Sequence, residues 1–169
     1  MQIDIGFGDV VVPGTTEINY PTLLAMPAPH LHGYPRESLI AEKFQAMVYL
    51  GATNSRMKDF YDVWLLARQF DFDGPTLVRA VKATFANRGT PIDPDPIALT
   101  STFTTSDSAK RQWAAFLRKG HLTEAPKVFE EVGTFIASFL RPVALAARAD
   151  DPFEVQWRAP GPWHSTRPR

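Results

Sequence analysis

Lys43, Asp59 and Asp62 are the side chains of this sequence best placed to do chemistry, because each interrupts an apolar pattern at helical spacing and none stands in a polar loop. Leu39, Ile40, Phe44, Met47 and Val48 recur at three- and four-residue steps, the mark of a buried helical face. Glu42 and Lys43 fall beside that face. A second run places Phe60, Val63, Trp64, Leu66 and Ala67 on one side, with Asp59 and Asp62, three residues apart, on the neighbouring stripe and Lys58 next to them. Two helices packed together would hold an ammonium and two carboxylates in one crevice. Such a group can orient a phosphate or a proton, and it can equally be an ion pair that keeps the helices in register. Arg56 and Lys58 are candidates for phosphate contact as planar and compact cations.

Other candidates carry less. Asp4 lies on the polar side of an alternating strand pattern, Ile3, Ile5 and Phe7 forming the other side. Asp9 reads as a turn residue. His30 and His32 alternate in a proline-rich segment and would share one side of a strand, but two histidines without a nearby acid make a poor metal site. The glycines of IGFGDVVVPG fall inside and just after a strand-like run instead of ahead of a helix, so they do not form a phosphate loop.

The elements that must position these residues are legible in outline. Val10, Val11 and Val12 lead to a turn at Pro13-Gly14 and a second strand at Glu17 to Tyr20. The proline-rich run from Tyr20 to Tyr34 reads as a short strand or loop. Pro35 suits the first turn of a helix that Gly51 ends, and Asn54 or Ser55 is available to cap the next, beginning near Arg56. A third helix is expected over 75–87. The stretch 89–107, rich in Pro, Thr and Ser, reads as a surface connection with a short extended piece at Ile97 to Leu99. A helix capped by Ser106 or Asp107 follows, through Arg118. The last is expected from Thr123 to about Leu140, with Val128, Val132, Phe135, Ile136 and Phe139 inward and Pro142 kinking or stopping it. From Asp150 onward, Pro152, Pro160, Pro162 and Pro168 describe an extended or disordered tail onto which Trp157 and Trp163 could dock.

The IAEK string, followed by NSRMKDFYDVWLLA and preceded by IDIGFGD and a YP pair, resembles the nucleotidyl transferase AbiEii/AbiGii toxin family over about Ile3 to Phe72. Larger members of that family carry a glycine motif and a paired-aspartate DxD strand ahead of this region, and neither occurs here. The resemblance implies an α+β fold, with strands of a nucleotidyltransferase-type sheet at 1–34, a helical bundle at 35–148 and the tail at 149–169. It implies Mg²⁺ and a nucleoside triphosphate as cofactors, with Asp4 at the metal, Lys43, Asp59 and Asp62 catalytic, and Lys43, Arg56 and Lys58 at the nucleotide. It also implies a cognate antitoxin as partner and RNA or protein as acceptor. The missing motifs point to a truncated product with weak or no transferase activity alone. The alternatives are a catalytically dead interaction module, a gene remnant, or a subunit completed by another chain.

Composition bounds the rest. The chain has 169 residues, 44% of them hydrophobic and 21% charged, enough for a folded core. Eighteen basic and eighteen acidic side chains cancel, so no global field attracts nucleic acid or a membrane surface, and no DNA partner is indicated. With no cysteine there is neither a disulfide nor a thiolate metal site. Apolar runs broken by charge before ~18 residues argue against a membrane span, and Met1 leads into a strand pattern instead of a secretory one, so a cytoplasmic protein is expected.

Overall fold

Helix α1, Arg36–Leu50, begins where Pro35 supplies an extended N-cap and ends at Gly51, whose φ of 50° suits glycine. A computed structural model describes residues 8–165 of the chain. Ile40, Phe44 and Met47 of α1 are buried, and Leu39 and Val48 flank them at the edge. A 3₁₀ turn, Gly51–Thr53, leads to α2, Met57–Gln69. Asn54 does not cap α2: its Oδ1 accepts from Arg56 N at 2.9 Å and shapes the approach, while Arg56 takes the N-cap position with no side-chain bond.

Helix α3, Gly74–Asn87, is capped by Asp73, which accepts from Thr76 N. It packs on α1, with Phe44 and Phe85 5.2 Å apart. The stretch expected to be a surface connection is instead folded into the body. It holds a 3₁₀ turn at Ile97–Leu99, where an extended piece was expected, and the short helix α4, Ser101–Thr104. Ala98, Phe103 and Thr104 are buried, and Phe103 joins a ring cluster with Phe60 and Phe129. Its polar composition hid this because the threonines satisfy backbone groups locally, Thr100 Oγ1 accepting from Phe103 N and Thr105 Oγ1 donating to Ser101 O.

Helix α5, Asp107–Gly120, is capped by Ser106 and sets Trp113 against Phe129. The last helix, α6, runs over Phe129–Ala149, starting later and ending later than the sequence pattern suggested. Val128, expected inward, is half exposed, and Phe129 takes the inward place. Pro142 neither stops nor ends the helix. Leu140, Val143 and Ala144 are fully buried around it, and burial on that scale outweighs the lost hydrogen bond, about 3 kcal/mol. By length and mean composition α6 could cross a membrane, but Arg141 breaks its apolar run as expected, ten of its residues are buried and it packs on α2 and α3 as a core helix.

After α6 the described chain, as far as Ser165, is extended and adds two strands. Strands β4, Val155–Trp157, and β5, Trp163–Ser165, join β3, Phe72–Asp73, in an antiparallel sheet of order β3-β4-β5. Trp157 is almost wholly buried and donates to Ala67 O at 2.6 Å; Trp163 donates to Phe139 O at 3.0 Å. Gly74 is required beneath this sheet, since a Cβ there would come within 2.6 Å of the carbonyl oxygens of Phe153 and Val155.

At the other end, β1, Thr16–Asn19, and β2, His30–Gly33, form a separate antiparallel ribbon. Ile18 pairs with Leu31, Glu17 with His32 and Asn19 with His30, and no residue of the ribbon is buried. The segment before it is tied to α1 by Ser38, whose buried hydroxyl accepts from Val12 N at 2.8 Å and donates to Val12 O at 3.0 Å. The architecture is α+β, a helical body carrying two small antiparallel sheets.

Candidate functional site

Lys43 projects from the middle of α1 toward the first turn and a half of α2, and the structure brings it together with both aspartates. Its Nζ lies 2.9 Å from Asp59 Oδ1 and 2.7 Å from Asp62 Oδ2. The helical spacing of Asp59 and Asp62 makes this possible, since residues three apart share a stripe. The lysine and Asp59 side chains are only 11% and 4% exposed, Asp62 19%. Burial works against the charge on Lys43, but the hydrogen bonds and charges of Asp62 and Asp59 outweigh it and hold its pKa above the ordinary lysine value.

Two further cations close the cluster from outside. Arg56 Nε lies 2.8 Å from Asp59 Oδ2, close enough for an ion pair, though without the alignment of a hydrogen bond, so that this buried oxygen accepts no hydrogen bond. Lys58 Nζ donates to Asp62 Oδ2 at 2.6 Å, one helical turn away. Arg56 and Lys58 are 61% and 72% exposed, so both keep most of their surface in water. Three cations and two carboxylates leave the cluster with a net single positive charge.

Arg88, read in the sequence only as part of a helix end, is a member of the same surface. It donates to Gln45 Oε1 at 3.0 Å and to Asp9 Oδ1 at 3.2 Å, and stands 3.9 Å from Glu42 Oε2. Asp9, expected to be a turn residue, lies in irregular chain and serves as an ion-pair partner. Tyr34 donates to Glu42 Oε1. Burial, then the Glu42 hydrogen bond and the charges of Glu42 and Asp9, push the Tyr34 hydroxyl well above the usual tyrosine range. No sequence signal marked Arg88, because its partners Gln45 and Asp9 are 43 and 79 residues away.

Three depressions adjoin at Arg56. One of about 200 Å³ is lined by Glu42, Lys43, Arg56, Asp59 and Arg88. A second, about 470 Å³, opens between the start of α2 and Gln112 and Phe116 of α5. The third, about 410 Å³, runs past Tyr49, Arg56 and Arg88. Lys43, Asp59 and Arg56, named from sequence, therefore share one wall, Lys58 lines the adjoining depression, and Asp62 joins them through its ion pairs with Lys43 and Lys58. His30 and His32 do not join them; they lie on strand β2, exposed. Asp4 lies outside the described residues.

The carboxylate oxygens do not fit a divalent metal. Lys43 Nζ already occupies the place between the two aspartates that a cation would take, and among the described residues no three His, Asp or Glu side chains are grouped to hold an ion. What the wall can do is meet an anion at its rim while keeping the orientation of Lys43 fixed.

A family model for nucleotidyl transferase AbiEii toxins of type IV toxin–antitoxin systems matches residues 1–135, four fifths of the chain and all of the Lys43 cluster, so the protein belongs to that toxin family. Membership brings a toxin–antitoxin role of nucleotidyltransferase type in general terms, and an antitoxin as partner. No curated protein and no solved structure matches the chain.

Proposed function

We propose that the chain acts as a nucleotidyltransferase-type toxin, moving a nucleotide from a nucleoside triphosphate to a hydroxyl of RNA or protein, with the Lys43 wall as part of its site. The acceptor oxygen attacks the α-phosphorus, the bond to pyrophosphate breaks, and the hydroxyl proton passes to a carboxylate. Asp62, less enclosed than Asp59, is the candidate base. Arg56 and Lys58 would meet the triphosphate, and Lys43, with three N–H donors and two carboxylate partners, has one donor left for a phosphate oxygen. The observation that supports this reading is the convergence of Lys43, Asp59 and Arg56 on one polar depression, with Asp62 paired to the same Lys43 Nζ, inside the stretch the family model matches.

A second reading rests on an equally specific observation: both aspartates are already neutralised by lysine and arginine, which is how a structural ion-pair network looks. In that reading the chain is an inactive interaction module of the same family.

A transfer assay with each of the four labelled triphosphates, using total RNA and total protein as acceptors, separates the two. Transfer by the wild-type chain that falls at least ~10²-fold in Lys43→Ala and Asp62→Asn, with melting still cooperative, supports the enzyme. A folded wild-type chain that labels neither pool, with Mg²⁺ or Mn²⁺ supplied, sinks it and leaves the module.

A further inference from the structure

We infer that the apolar face of the β1–β2 ribbon is a self-association surface, covered by the same face of a second copy of this chain. The ribbon is amphipathic by strand alternation. Thr16, Ile18 and Tyr20 share one side with Gly33, Leu31 and Pro29, and Glu17 and Asn19 share the other with His32 and His30. Ile18 reaches across to Gly33, where an added Cβ would sit 3.2 Å from its Cγ2, so the apolar side is flat and continuous.

Ile18, Tyr20 and Leu31 are 41%, 56% and 45% exposed, and the connecting loop bares Leu23, Leu24 and Met26 at 105%, 71% and 64%. The loop is shaped, since Thr22 Oγ1 donates to Leu24 O at 2.9 Å. Two strands alone are marginal in water, and monomeric proteins seldom leave so much contiguous apolar surface open.

Area and charge select the occupant. Stable pairs of chains hide about 800 Å² on each partner, and six large apolar side chains bared to this degree carry surface of that order. From Ile18 to Pro35 there is no Asp, Glu, Lys or Arg, so nothing in the patch steers an oppositely charged partner or an anionic lipid headgroup. Nothing repels an identical patch either, and the net charge of zero adds no long-range repulsion between copies. Packed face to face about a two-fold axis, the two ribbons form a two-layer sandwich with Ile18 and Leu31 inside and Glu17, Asn19, His30 and His32 in water on both outer sides.

Because the chain has no cysteine, single cysteines report this geometry directly. Under mild oxidation of the full chain, Ile18→Cys should form a disulfide-linked dimer roughly ten-fold faster than Glu17→Cys, whose side chain lies on the outer face. Sedimentation of the wild-type chain should show a monomer–dimer equilibrium, and Ile18→Lys with Leu31→Lys should be monomeric with an unchanged circular dichroism spectrum. A wild-type chain that stays monomeric at 100 µM, equal cross-linking at both positions, or a dimer that survives the double lysine change would each overturn the inference. So would flotation of the wild-type monomer with neutral phosphatidylcholine vesicles, which would make lipid the occupant.

Discussion

The two small sheets of this protein are both built from strands of four residues or fewer and have opposite fates. Strands β3, β4 and β5 have two to three residues each, yet they are fixed to the body because Trp157 and Trp163 plunge between helices and spend their indole N–H groups on Ala67 O and Phe139 O. The rings of Phe139, Trp157 and Trp163 lie within 5.6 Å of one another, Phe139 stacked on Trp163 and Trp157 edge-on to both. Strands β1 and β2 have four residues each and a longer ladder, but no buried side chain. What holds a short strand in place is therefore the side chain it buries and not the length of its ladder, as expected when backbone hydrogen bonds contribute little net free energy against water.

The largest expected effect breaks the anchored sheet. Trp157→Ala should cost about 3–5 kcal/mol, the range for deleting a fully buried large aromatic, and should release the chain after Asp150 to proteolysis. Trp157→Phe keeps the ring and orphans Ala67 O, so a loss nearer 1–3 kcal/mol is expected. Chemical denaturation measures both, and equal costs for the two would mean the indole hydrogen bond, not ring burial, anchors the strand.

The contrast between anchored and exposed extends to charge. Lys43→Met leaves Asp59 and Asp62 facing each other without their shared cation, and should cost about 3 kcal/mol. A double-mutant cycle between Lys58 and Asp62, the exposed pair of the same cluster, should return about 0.5 kcal/mol or less. The pH dependence follows from the raised pKa of Lys43: its stabilisation is complete below the unfolded lysine value of about 10.4 and is lost as pH rises through the higher folded value. The stability gap between wild type and Lys43→Met should thus narrow only above that pH. Tyr34 acts in the same direction, so the comparison belongs in a Tyr34→Phe background.

Next in size is a steric test of the floor beneath the anchored sheet. Gly74→Ala drives a methyl into the carbonyls of Phe153 and Val155, backbone that cannot swing aside, and about 1–3 kcal/mol of stability should be lost. An unchanged melting temperature would show that the strand rides loosely over α3.

The sequence made most of the anchored body legible and little of how its ends attach. Helical periodicity placed α1, α2 and α3 within a residue or two, and it put Lys43, Asp59 and Asp62 on facing stripes. It missed Arg88 because a helix end carries no mark of a partner in a distant turn. It misjudged the segment with Ala98 and Phe103 because threonines that bond their own backbone look like solvent-facing polarity. The proline-dense C-terminal stretch read as loose because its two strands hold only three residues each, too few for a period to show, and only Trp157 and Trp163 hinted at docking.

The smallest expected effect is the one that defines the other sheet. If the ribbon contributes nothing to the body, Ile18→Thr should change its unfolding free energy by less than about 0.5 kcal/mol at protein concentrations low enough to keep the chain monomeric. At high concentration the same change should lower the apparent melting temperature, because a dimer adds stability by mass action and the substitution weakens only that term. A large loss in the dilute regime would mean that the ribbon is packed on the helices after all, and the difference between the two sheets would reduce to one of degree.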